Sequence, residues 1–395
     1  MNRKDFLKNF ATLAVATPFM STLLASCSKK GIDFYPEMDV NFNGKIIIIG
    51  AGAAGLIAGH ILNKYGIDFQ IIEASSVFGG RVKKIDGFAD FPIDLGAEWI
   101  HTDPSILAKL LNDPTVDANI ETIVYNPATV SVWKNGKLRK RNFASNFYSE
   151  YKFKRTTWYD FFDQFIVPNI SDKIIYNSPI TKIDYSGDKV VMMDNNNNTY
   201  EADKVISTTS LTILKDNLID FQPSLPADKV NALDQVDFPD GIKVFIEFSE
   251  RFYPDMTNIG GLLTAGDTIY YDAAFKKDSD KNILGLFSVS DTTSDYTDLS
   301  SDEEIINKVL GELDEIFNGK ASETYIKHVI QNWSKEPYIR GSYSHYDDYD
   351  AVDILQQPLD GKVYFAGEAF GGDAQSTVHG AGETAYRVLE EILRG

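Results

Sequence analysis

The chain has 395 residues, with 38 Lys and Arg against 57 Asp and Glu, for a formal net charge of −19. So acidic a protein is poorly suited to nucleic acid or to an anionic membrane surface. The single cysteine, Cys27, excludes an intramolecular disulfide and a cysteine-rich metal centre, and the five histidines lack H-x-x-x-H or H-E-x-x-H spacing, so no metal site is expected.

Residues 2–8 read N-R-K-D-F-L-K, an apolar segment Phe10–Ala25 follows, and L-A-S-C ends it at Leu24–Cys27. A basic start, a short apolar stretch and small residues before a cut predict an export signal over 1–26. Pro18 and Ser21 interrupt the run, which is too short for a comfortable transmembrane span. L-A-S-C resembles the bacterial lipobox. That implies lipidation of Cys27, membrane attachment through this lipid alone, and a periplasmic or cell-surface location. R-K-x-F-L-K resembles a relaxed twin-arginine signal with Lys4 at the second arginine. Residues 27–43 then read as a tether.

Lys45–Ile49 is a continuous β-branched run, as expected of a parallel strand buried on both faces. Gly50, Gly52 and Gly55 follow as G-x-G-x-x-G, Leu56–Tyr65 is helical up to Gly66, and Phe69–Ile72 is a second strand ending at Glu73. Strand, glycine turn, helix, strand and terminal acid together predict a dinucleotide site, with Glu73 accepting from a ribose hydroxyl. This stretch alone leaves NAD and FAD both open. Next come G-G-R at Gly79–Arg81 and D-L-G-A-E-W-I-H at Asp94–His101.

Pro104–Val167 is helix-prone and aromatic, whereas Lys173–Val205 is β-rich with an asparagine hairpin loop. Ile242–Phe248 reads as a strand containing Lys243, Glu303–Phe317 as an amphipathic helix and Tyr325–Trp333 as a strand. The chain closes on W-S-K-E-P-Y-I-R-G-S-Y-S, then K-V-Y-F-A-G-E-A, then S-T-V-H-G-A-G-E-T-A-Y-R, with a strand at Val363–Ala366 and a helix at Val378–Leu393.

Taken together, G-A-G-A-A-G, Glu73, G-G-R, D-L-G-A-E-W-I-H and the C-terminal motifs resemble the flavin-containing amine oxidase family, which spans monoamine oxidases, polyamine oxidases and histone lysine demethylases. The resemblance runs from about Lys45 to Arg394 and selects FAD over NAD. It implies an α/β fold: a Rossmann-like FAD-binding domain of the GR2 type (44–100, 170–232 and 340–395), interleaved with a mixed α+β substrate domain (101–169 and 233–339). It assigns FAD contacts to Gly50, Gly52, Ala53, Ala54, Gly55, Glu73, Ala74, Gly80, Arg81, Gly96, Ala97, Glu98, Trp99, Ile183, Trp333, Gly367, Glu368, Thr377 and Val378. It makes Lys243 the catalytic lysine that holds a water beside the flavin, and Tyr343 a catalytic cage wall that also touches substrate. His101 and Thr377 complete the substrate set. The second cage tyrosine of monoamine oxidases is replaced by Thr377. Their flavin-linking cysteine is replaced by Ser342, so FAD is expected to be noncovalent.

The expected reaction is oxidation of a primary or secondary amine, polyamine-like or a monoamine, to an imine by hydride transfer to flavin N5, with reoxidation by O₂ giving H₂O₂. Glu98 and His101 should meet a cation, as in polyamine oxidases. The alternatives are an L-amino-acid oxidase or tryptophan monooxygenase-like activity, a flavin desaturase or isomerase, and a non-catalytic FAD-binding lipoprotein.

Overall fold

The computed structural model describes residues 33–116, 118, 120–141, 150–260, 268–346 and 349–395. The expected export signal and Cys27 lie outside the described residues. Strand β1 (Lys45–Ile49) sits at the centre of a five-stranded sheet ordered Ile174–Ile175, β2 (Asp68–Ile72), β1, Lys204–Ser207 and Val363–Phe365, with every pairing parallel. Ile46, Ile47 and Ile48 are each 0% exposed, which is why the run carries no polar alternation. Ile46 and Ile48 enter a core with helix α1 (Ala53–Lys64) and helix α2 (Val378–Arg394), while Ile47 and Ile49 face a second core built around residues such as Met192 and Phe221. The sheet thus draws one edge strand from the far end of the chain.

A seven-stranded sheet stands apart from it, ordered Tyr325–Asn332, β3 (Gly241–Phe248), Asn282–Val289, Ile269–Asp272, Met256–Ile259, Val130–Lys134 and Lys137–Arg141. Its pairings are antiparallel except where Met256–Ile259 meets Val130–Lys134. All eight residues of β3 are buried, Lys243 included, so this lysine lies in an interior strand rather than on an edge.

The helix-prone reading of Pro104–Val167 is corrected by the fold. Among the described residues helices cover only Ile106–Leu111 and Trp158–Phe165, and four strands lie between them. The signal overlooked was Asn135-Gly136 between two alternating stretches. Asn135 at φ 53° and Gly136 at φ 68° make the left-handed turn that joins Val130–Lys134 to Lys137–Arg141. The asparagine loop expected at residues 195–198 does connect an antiparallel pair, with Asp194 Oδ1 accepting from the N–H of Asn196 and Asn198 at 2.9 Å each.

One buried cation braces the second core. Lys229, 4% exposed, sends Nζ to the carbonyls of Ile354, Leu355 and Gln357 at 2.9, 2.6 and 2.9 Å, closing the C-terminus of the helix Tyr349–Leu355. Lys229→Met should leave these carbonyls without a donor and cost about 1–3 kcal/mol in a urea unfolding titration. An unchanged midpoint would remove the cap from the account.

Candidate active site

A cavity of about 860 Å³ opens at the C-terminal ends of the parallel strands and continues to the seven-stranded sheet. Ile49, Ile72, Thr208 and Gly367 mark the strand ends, where an open α/β sheet binds its ligand.

At the first end, α1 begins at Ala53, earlier than sequence reasoning placed it. Gly52 caps it without a side chain, so the first N–H groups of the helix face the cavity unshielded. A Cβ at Gly55 would fall 1.9 Å from the Gly50 carbonyl oxygen, whereas one at Gly52 would meet nothing nearer than 3.9 Å. Gly55 is therefore needed for helix–strand contact, and Gly52 leaves room over the helix end. Glu73, 6% exposed, accepts from the N–H of Ala51 at 2.6 Å and of Ser75 at 2.8 Å. Each oxygen keeps a further acceptor position for a hydroxyl. Donor-rich helix end, open glycine and buried carboxylate fit the pyrophosphate and ribose of a dinucleotide.

The opposite helix end contributes as well. Thr377 caps α2, its hydroxyl accepting from Gly380 N–H at 2.9 Å and donating to Ala374 O at 2.7 Å. Thr377, expected to touch substrate, lines the cavity, with its O–H and one acceptor position taken by the cap.

The middle of the cavity is held by a clamp across the chain. Arg81 Nη1 donates to Glu368 Oε1 at 2.7 Å and to Ser342 O at 3.0 Å. Glu368 also accepts from Ser344 N–H at 3.1 Å, Ser344 Oγ at 2.6 Å and Ser376 N–H at 3.0 Å. Four bonds fill the carboxylate. Glu368, expected to contact the cofactor, lines the cavity and orders its wall. Trp333 donates from its indole N–H to Leu95 O at 3.0 Å and packs against Gly96, where a Cβ would sit 3.0 Å from the ring.

Ala53, Ala54, Ala74, Gly80, Gly96, Ala97, Trp99, Gly367, Val378 and Tyr343 all line the cavity. Ile183 does not. It is 0% exposed in the second core, and Ser178, Pro179 and Ile180 form the wall there. A register shift between Ile180 and Lys182 separates these two isoleucines in the strand, a detail no apolar pattern records.

Lys243, 2% exposed, donates to Asp94 O at 2.8 Å, Gly96 O at 3.1 Å and Glu98 Oε2 at 2.7 Å. An ammonium has three donors. The expected water-holding N–H is therefore spent, and Lys243 reaches the cavity by its charge. Glu98, 4% exposed, is equally engaged: Oε2 also accepts from Tyr271 OH at 2.5 Å, and Oε1 pairs with Lys152 Nζ at 2.5 Å. The expectation that Glu98 meets a substrate cation is corrected by these internal partners. Lys152, in E-Y-K-F, carried no sequence signal beyond being a lysine between aromatic residues.

The titration directions follow from this crowding. Burial would raise the Glu98 carboxyl, but Lys152, Lys243 and Lys277 overcome it and hold it well below the carboxylate range. Burial first, then Glu98, pushes Asp94 up to about 8. Burial lowers Lys243.

At the mouth, His101 Nδ1 pairs with Glu150 Oε1 at 2.9 Å, so His101 is also taken by a neighbour. His379, which sequence reasoning passed over, lines the same region, and burial, then His101 and Lys109, press its pKa down to about 4. Below its ordinary pKa of 6.5 the unfolded chain takes up a proton that the folded site refuses, so stability falls as pH drops from 6.5 toward 4. His379→Gln should make this fall shallower by on the order of 2 kcal/mol in unfolding titrations. Parallel curves for the two proteins would contradict the assignment.

A sequence model described as flavin containing amine oxidoreductase matches residues 163–393. The chain belongs to this family. A second model, the NAD(P)-binding Rossmann-like domain, matches residues 48–113, where the glycine turn lies. The flavoprotein takes FAD as its cofactor. It is 24% identical to polyamine oxidase 1 of Zea mays over 94% of this chain and 93% of that protein. It is also 24% identical to lysine-specific histone demethylase 2 of Homo sapiens, over 92% of this chain and 55% of that one. The chain therefore spans about half the length of the demethylases it matches. Putrescine oxidase bound to putrescine superposes with a TM-score of 0.73 at 16% identity, over 90% of this chain and 100% of that chain, which establishes the shared fold.

Proposed function

We propose that this flavoprotein oxidises a primary or secondary amine to an imine, returning the electrons to O₂ as H₂O₂. The observation that carries the reading is the single cavity wall joining the glycine cradle at Gly50–Gly55 to the buried ammonium of Lys243. Bound FAD supplies the acceptor for the hydride leaving the carbon next to nitrogen. The α1 N-terminus and Glu73 would hold its adenosine diphosphate part, and the Arg81–Glu368 clamp fixes the wall beyond. The N-terminus of α2 presents the N–H groups of Val378 and His379 to the cavity, a positive end suited to negative charge in the reduced state.

Lys243 is the proposed catalytic lysine, placing a fixed positive charge on the wall. Tyr343 and Trp333 bound the space in which the amine sits. Ser342 stands where a flavin-linking cysteine would be, which supports noncovalent FAD. The division into an FAD-binding unit and a substrate unit, and export with a lipid anchor at Cys27, belong to the same proposal.

The test is an aerobic assay of the holoprotein for H₂O₂ and carbonyl product, with tyramine, butylamine, putrescine and spermidine beside tryptophan and lysine. Product from amines is expected. Product from the two amino acids alone would favour an amino-acid oxidase and sink the proposal.

A further inference from the structure

Glu98 and its surroundings form a buried charge cluster that the proposed reaction leaves partly unexplained. Lys152 is 0% exposed, and its ammonium lies 5.2 Å from the ring of Trp99 and 5.1 Å from the rings of both Tyr125 and Tyr271. Three rings around a cation, with a carboxylate at 2.5 Å, are what a protein builds to recognise an ammonium ligand. Here the chain fills that place with its own side chain. Glu98 and Trp99 line the cavity, and Lys152 stands behind them.

Five acidic side chains line the described cavity. Glu73 and Glu368 lie at the cofactor end, Glu98 holds Lys152 and Lys243, Glu150 holds His101, and Asp373 accepts from Tyr349. The sheet wall adds Met256, Ile269, Phe287 and Val289, which are apolar, and the neutral amide of Asn258. Charge points the same way. Lys152 and Lys243 against Glu98 sum to one positive charge, and Asp94 and Lys277, both buried, add no net negative charge at neutral pH. A second ammonium entering beside Glu98 meets a net cation and a carboxylate already held by Lys152, Lys243 and Tyr271.

We propose that Lys152 is a specificity-determining residue: by filling the aromatic cage and pairing Glu98, it selects amines with one positive charge and an apolar arm over diamines and polyamines. The inference rests on the amine-oxidase reading and narrows its substrate class, against the expectation that Glu98 serves a polyamine.

The experiment measures dissociation constants of butylamine and putrescine from perturbation of the flavin spectrum in anaerobic holoprotein. Wild-type protein should bind butylamine at least tenfold more tightly than putrescine. Lys152→Met frees Glu98 Oε1 and removes one positive charge, so the preference should shrink at least tenfold or reverse. Adding Glu98→Gln to Lys152→Met should cancel that gain for putrescine. Wild-type preference for putrescine, an unchanged ratio in Lys152→Met, or a gain that survives Glu98→Gln would each overturn the role. Because binding is read before turnover, these failures are distinct from that of the amine-oxidase reading, which fails if amines bind and leave the flavin oxidised. Binding of neither amine would overturn both.

Discussion

Replacing Gly55 with alanine should yield protein that purifies without flavin. The added Cβ would lie 1.9 Å from the Gly50 carbonyl oxygen and 3.3 Å from Ile48 Cγ2, and the nearer atom is backbone that cannot swing aside. Helix α1 must then move off β1, and its free N–H groups leave the cavity they face. Overpacking of this kind costs about 1–3 kcal/mol or more in stability, but the sharper effect is on the anion site. Gly311→Ala is the control. Gly311 lies exposed in the helix Asp302–Phe317 with no atom within 4 Å of a new Cβ, so alanine there should stabilise by roughly 0.5–1 kcal/mol. The ratio of flavin to protein absorbance reads both variants. Full flavin occupancy in Gly55→Ala would remove the cradle from the cofactor site.

Lys243→Met should retain flavin yet slow its reoxidation by O₂ at least tenfold. In the proposed reaction the ammonium supplies a fixed positive charge where O₂ would take up negative charge, and a charge held by three acceptors needs no reorganisation. Breaking a buried ion pair usually costs about 3–5 kcal/mol. Here the loss is tempered, because Glu98 keeps Lys152 and Tyr271 as partners and the cluster falls from a net positive charge to neutrality. The variant should therefore fold and remain testable. Stopped-flow mixing of reduced protein with O₂ measures the rate, and an unchanged rate would take Lys243 out of the chemistry.

Local patterns carried the first part of the fold. β1, the glycine turn and Glu73 announced themselves because each depends on neighbours within thirty positions. The C-terminal helix was equally plain, read at Val378–Leu393 and found at Val378–Arg394, though its cap at Thr377 was not. What stayed hidden depends on pairing between distant segments. Lys152 and Glu98 are brought together by the short pairing of Trp99–Ile100 with Glu150–Phe153, which nothing in either stretch foretells. The same holds for Arg81 and Glu368: both could be singled out, but not that they would spend their charges on each other. Ile183 was misplaced for the opposite reason, since a buried isoleucine in a strand looks alike whether it faces a cavity or a core.

Anaerobic titration of the purified yellow holoprotein with butylamine or tyramine tests the central claim most directly. The account predicts that amine bleaches the flavin's visible absorbance to completion, and that admitting air restores it with release of H₂O₂. Flavin that stays fully oxidised under amines known to bind, while tryptophan or lysine reduces it, would contradict the account.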